Sequence, residues 1–161
     1  ECLVEALRTT ASIFVIAIGA YLFGYFLTIT QTAQALAEML VALPIGPYGT
    51  LAIILLVYIL LGAVMDELAI ILLTVPIIFP VIVALGFDPI WFGVIIVMTV
   101  TLGLITPPVG MNVFVINSIA RDVSLTTIFR GVAPFIAVDI LRLVILCAVP
   151  WLSLVLPNSM N

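Results

Sequence analysis

Between Ile90 and Ile119 the chain carries no charged residue, yet Thr-Leu-Gly-Leu-Ile-Thr-Pro-Pro-Val-Gly-Met-Asn (101–112) stands near the middle of that stretch. No other feature limits the fold so strongly. An apolar run of about 30 residues exceeds the ~20 with which a helix crosses the hydrocarbon core of a bilayer. Pro107 and Pro108 each lack an N–H and clash with the preceding turn. Pro107 also drives Thr106 away from helical geometry. The spacing therefore predicts a helix that stops near Ile105 and resumes near Met111. Carbonyls of roughly Gly103 to Thr106, and amides at the start of the second half-helix, are expected to lack intrahelical partners. In hydrocarbon an unpaired backbone group costs several kcal/mol, so such a break has to be buried in protein or line a watery cavity.

Composition sets the solvent. Of 161 residues, 66% are hydrophobic and 7% charged, against roughly 25% charged in a soluble domain. The chain is expected to be an all-α, multi-pass membrane protein. Its net charge of −4 comes from eight acids and four scattered arginines, with no basic run for nucleic acid. The absence of histidine excludes a His-ligated metal or a Ser-His-Asp triad within the chain. Cys2 and Cys147 belong to no CxxC pattern and read as small apolar residues. The chain opens Glu-Cys-Leu-Val, without Met or a basic leader, and reads as a piece of something longer.

Five segments follow. Residues 9–27 form a first span, with Gly19 and Gly24 beside an aromatic belt. Residues 28–49 form an interfacial amphipathic helix (31–43) and a turn punctuated by Pro44, Gly46, Pro47 and Gly49. Residues 50–85 hold two apolar runs, the second broken by Pro76 and Pro80, on either side of Gly62-Ala-Val-Met-Asp66-Glu67. The first run, Leu51 to Ala63, is short of a crossing. The segment is either a re-entrant hairpin with its tip at membrane depth or one tilted span. Gly86-Phe-Asp88-Pro89 is a turn, with Asp88 as cap and Pro89 at the first helical position. Residues 90–119 form the broken span, and 131–156 the last span, in which Asp139 and Arg142 share one face.

Arg8, Arg121 and Arg130 flank spans, which places those ends in the cytoplasm. The 28–49 and 86–89 turns then lie outside. Every segment fits only if 50–85 enters and leaves on that outer face, which favours the hairpin.

The two interruptions suggest a cation site. Free carbonyls at a half-helix C-terminus are hard oxygen ligands at the negative end of a dipole, whereas free amides at an N-terminus suit an anion. Gly62, Met65 and Asp66 at the hairpin tip, with Gly103, Thr106, Pro107, Gly110 and Asn112 at the break, are the candidate ligand-forming residues. Asp66 and Glu67, if deep in the protein, mark an ion or substrate path. Asp139 with Arg142 reads as a structural pair.

The stretches 62–76 (GAVMDELAIILLTVP), 85–93 (LGFDPIWFG), 103–112 (GLITPPVGMN) and 122–132 (DVSLTTIFRGV) together resemble the C-terminal half of the large membrane subunit of tripartite ATP-independent periplasmic (TRAP) transporters. The resemblance implies an ion-transporter-superfamily fold of two inverted repeats, each with a re-entrant hairpin and a discontinuous helix, of which this chain is one half. It implies Na⁺-coupled, elevator-type uptake of a small organic anion, such as a C4-dicarboxylate or sialic acid, across the bacterial inner membrane. It further implies a periplasmic substrate-binding protein and a small four-helix membrane subunit as partners, Na⁺ as coupling ion, and no cofactor or enzymatic activity. The half alone is not expected to transport.

Two other classes fit less well. An intramembrane aspartyl protease needs facing carboxylates, one usually in a Gly-x-Gly-Asp setting; Asp66 follows Gly-Ala-Val-Met, and Asp139 has an arginine three residues on. The permease half of another secondary carrier stays open, whereas an ATP-driven permease needs a longer coupling loop than 120–130 provides.

Overall fold

A computed structural model describes residues 2–107, 109–120 and 122–159. Pro108 and Arg121, used above as a helix breaker and a topology marker, lie outside the described residues. The elements are α1 (Cys2–Ile29), α2 (Thr32–Val41), α3 (Gly46–Gly62), α4 (Glu67–Ala84), α5 (Pro89–Gly103), α6 (Met111–Ile119), α7 (Leu125–Ala148) and α8 (Trp151–Ser159). Helices α1, α4 and α7 are long and apolar enough to cross a membrane, while α3 and α5 are shorter and apolar. Large apolar side chains such as Phe14, Leu22, Phe135 and Leu141 face outward, as lipid requires and water does not tolerate. The chain is an all-α membrane protein.

The centre is α5, whose 15 residues make about 22 Å of helix at 1.5 Å per residue. It starts where the Asp-Pro pair predicts: Asp88 Oδ1 accepts from the amides of Ile90 (2.8 Å) and Trp91 (3.0 Å). Ile95 and Val100 are fully buried, with Leu51 and Tyr58 of α3 and Ile70, Val81 and Ile82 of α4 around them. α3 lies along α5; α4 packs on α2, α1 and α5.

Three boundaries differ from expectation. α3 begins at Gly46, with Pro47 in its first turn, because proline is preorganised for a helix start; the helix is 17 residues long, where the apolar run counted from Leu51 to Ala63 has about thirteen. α4 continues through Pro76 and Pro80. Each proline removes a single ladder bond, a loss that membrane helices accommodate when neighbours re-satisfy the freed groups. The last span, expected over 131–156, is two helices: α7 starts at Leu125, capped by Ser124, and ends at Ala148. Pro150 causes the stop, since it cannot continue the ladder.

That proline creates a need which α5 meets. Leu146 would normally bond to the amide of residue 150, which Pro150 lacks. Instead the indole Nε1 of buried Trp91 donates to the Leu146 carbonyl at 2.9 Å. Trp91→Phe is expected to cost about 1–3 kcal/mol, the penalty for a stranded buried acceptor. A lowered thermal midpoint of the detergent-solubilised full-length protein would show it; an unchanged midpoint would mean that another donor reaches Leu146.

Of the glycines singled out on α1, Gly19 faces open space, and a Cβ at Gly24 would lie 4.0 Å from Pro76. Neither is sterically demanded. The close approach lies elsewhere.

Candidate functional site

α3 and α5 both end in glycine, and the two glycines touch. A Cβ on Gly62 would lie 2.7 Å from the Val100 carbonyl oxygen and 3.1 Å from Gly103 Cα. A Cβ on Gly103 would lie 2.7 Å from both Gly62 Cα and the Ile59 carbonyl oxygen. Both residues are buried. Only hydrogen in place of a side chain lets the backbones meet. The turn after Gly62 and the break after Gly103, far apart in sequence, are thus joined at their helix C-termini. Two C-terminal dipole ends converge there, each equivalent to roughly half a negative charge.

On the α3 side the turn runs over residues 63–66. Ala63 and Met65 donate to the carbonyls of Ile59 (3.0 Å) and Leu61 (2.8 Å). Among the described residues no backbone amide reaches the carbonyls of Gly62, Ala63 or Val64. Met65 is half-buried against the core. Asp66 is exposed and caps α4, its Oδ2 accepting from Leu68 (3.1 Å) and Ala69 (3.4 Å). One of its oxygens therefore has a local task that the sequence reading did not assign.

On the α5 side the helix stops at Gly103, earlier than Pro107 alone requires, and restarts at Met111. Two of the carbonyls expected to be free are engaged: Gly103 accepts from Thr106 (3.0 Å) and Leu104 from Asn112 (3.1 Å). The second bond runs across the break and ties the half-helices together, so the Asn112 amide, expected to be open to an anion, is occupied as well. Ile105 and Thr106 remain as the carbonyls of that group with no such partner among the described residues. The Thr106 hydroxyl donates to the Leu102 carbonyl at 2.6 Å. Its single hydrogen is thereby committed, and the oxygen presents lone pairs only. Gly110 has φ 61°, and a Cβ there would lie 3.2 Å from the Thr106 carbonyl oxygen. Only glycine combines that left-handed backbone with so close a fold over the break. Pro107 and Asn112 are exposed.

A contact missed from sequence bridges the two sides. The Thr101 hydroxyl lies 3.2 Å from Glu67 Oε1 and 2.8 Å from the Val97 carbonyl oxygen. The available signal was the pairing of an acid at the start of α4 with a polar residue in the apolar helix just before Gly103. Elsewhere, Arg142 Nη2 and Asp139 Oδ1 form an ion pair at 2.9 Å. Of the two carboxylates weighed for a protease, Asp66 caps α4 and Asp139 is paired with Arg142.

Residues 1–152 match the family model of the tripartite ATP-independent periplasmic transporter, DctM component. The chain is 36% identical over 161 residues to a C4-dicarboxylate TRAP transporter large permease protein of Pseudomonas aeruginosa, covering 98% of this chain and 38% of that protein. It is 33% identical to a sialic acid TRAP transporter large permease protein of Vibrio cholerae, over 98% of this chain and 37% of the relative. An isethionate TRAP transporter permease protein of Oleidesulfovibrio alaskensis is also 33% identical, with 93% of this chain and 24% of the relative covered. The chain thus spans little more than a third of the length of its large-permease relatives. A helical component of a periplasmic transporter resides in the bacterial inner membrane, since outer-membrane spans are β-barrels. A discontinuous apolar helix, a helical turn locked against it and a match over nearly the whole chain lead to one family: the chain belongs to the DctM component of the tripartite ATP-independent periplasmic transporters.

Proposed function

We propose that this chain forms one repeat of a large permease subunit that takes up a small organic anion, a carboxylate, by secondary active transport coupled to Na⁺. Helices α3 and α4 act as the re-entrant hairpin, and α5 with α6 as its paired broken helix. The carrying observation is the meeting of Gly62 and Gly103, which brings two helix C-termini to one place. The uncommitted carbonyls of Gly62 to Val64 and the lone pairs of Thr106 are hard oxygen donors of the kind a small cation takes. Asp66 and Glu67 add negative charge beside them. No arginine lies among these residues, and none is assigned to the anion's carboxylate. Its relatives' names, C4-dicarboxylate, sialic acid and isethionate, all denote organic acids. A periplasmic binding protein delivers the anion, a small four-helix membrane subunit completes the complex, and the hairpin-bearing unit moves as an elevator.

The full-length subunit, reconstituted in liposomes with both partners, provides the test. An inward Na⁺ gradient is expected to drive uptake of an organic acid. Uptake indifferent to that gradient would remove the coupling.

A further inference from the structure

The two arms of the hairpin share one core around α5 but lean on different neighbours. α3 lies along α5, and α4 lies mainly against α2 and α1. Between the arms and α2 is an open groove of about 280 Å³ with no polar lining surface, walled by Leu40, Ile54, Val57, Leu61, Ile77 and Ile78. One polar link stands in its wall. The Tyr58 hydroxyl donates to Thr74 Oγ1 at 2.6 Å, and Thr74 donates in turn to the Ile70 carbonyl at 2.7 Å. Tyr58 is 2% exposed.

We propose that Tyr58 is a positioning residue, a latch whose bond to Thr74 sets the spacing of the hairpin arms and through it the seating of the tip on α5. The groove parts the two arms along this stretch, so direct side-chain packing between them is sparse there. The Tyr58–Thr74 hydrogen bond ties them, and an apolar groove facing lipid offers no water to replace it. Because α3 carries Gly62 against Gly103 while Asp66 begins α4, a change in arm spacing alters the turn over residues 63–66 that joins them. This rests on the cation-coupled function proposed above, whereas the latch itself can be read without it.

Tyr58→Phe is a clean probe. It keeps the ring, and Thr74 still donates to Ile70, so no buried donor is stranded. Thr74→Ser retains the bond. In the full-length subunit, reconstituted with its partners, two readouts apply: amide exchange over α4 and the Na⁺ dependence of uptake. Tyr58→Phe is expected to raise both the exchange rate over residues 70–78 and the half-saturating Na⁺ concentration by about three- to tenfold, the worth of one hydrogen bond. Maximal rate should change less, and Thr74→Ser should match wild type. Unchanged exchange in Tyr58→Phe overturns the latch. Raised exchange with unaltered Na⁺ half-saturation overturns its positioning role. If wild type shows no Na⁺ dependence, the coupled function fails on its own account, and exchange alone decides the latch by the same criterion.

Discussion

Gly103→Ala is expected to abolish uptake and to lower the thermal midpoint of the full-length subunit. The added methyl would lie 2.7 Å from Gly62 Cα and 2.7 Å from the Ile59 carbonyl oxygen. Both obstacles are backbone, so no rotamer change relieves the clash and α3 has to move away from α5. Overpacking of this kind costs about 1–3 kcal/mol. The functional loss exceeds what that stability change produces, because the displaced helix leads into the turn over residues 63–66 of the proposed cation site. Gly93→Ala on the same helix is the control. Nothing lies within 4 Å of a Cβ there, and alanine is the better helix former by about 1 kcal/mol. Thermal midpoints and uptake of the two variants decide the matter. If Gly103→Ala behaves like Gly93→Ala, the backbones do not close on each other in the membrane.

Thr106→Val should separate cation binding from folding. Valine keeps the branched shape and removes the oxygen. Folding loses a single bond, that to Leu102 at 2.6 Å, worth about 0.5–1.5 kcal/mol. If Thr106 Oγ1 is a cation ligand, half-saturating Na⁺ should rise by roughly tenfold or more, since an equilibrium constant shifts tenfold per ~1.4 kcal/mol and charge-assisted contacts exceed that. Thr106→Ser should retain Na⁺ dependence. Sodium titration of uptake, read beside the thermal midpoint, checks this; a Na⁺ response equal to wild type with a lowered midpoint would leave Thr106 as a helix-stabilising hydroxyl only.

Much of the fold was legible because the signals are local. Asp88-Pro89 starts α5 by a side-chain cap and a fixed φ, both written in adjacent residues. That the helix breaks ahead of Pro107 follows from proline's missing N–H and its clash with the preceding turn, although the stop at Gly103 comes earlier than Pro107 alone requires. Local signals also misled. Pro76 and Pro80 read as breakers, yet α4 runs through them, because packing on α1 and α2 holds a helix that propensity alone would end. Pro150, placed near the end of one span, instead divides two helices, and what makes that tolerable is an indole arriving from α5.

The candidate site divides in the same way. Sequence identified the two interruptions and the residues that flank them, but it counted the carbonyls of Gly103 and Leu104 and the amide of Asn112 as free. Two of those three groups satisfy each other, and Thr106 takes the third. Bonds that cross a break depend on how the chain folds back, and no periodicity encodes that. The Glu67–Thr101 contact escaped for the same reason.

The sequence by itself determined where a helix cannot continue and that the solvent is lipid, because proline geometry, glycine freedom and apolar composition act on each residue separately. The tertiary structure decided that the break at Gly103 meets the turn after Gly62, and which oxygens are left over there. Those outcomes depend on distances between helices, set by the absence of side chains on both partners at once. A glycine in a sequence shows only that close approach is permitted; the partner glycine across the interface shows that it occurs.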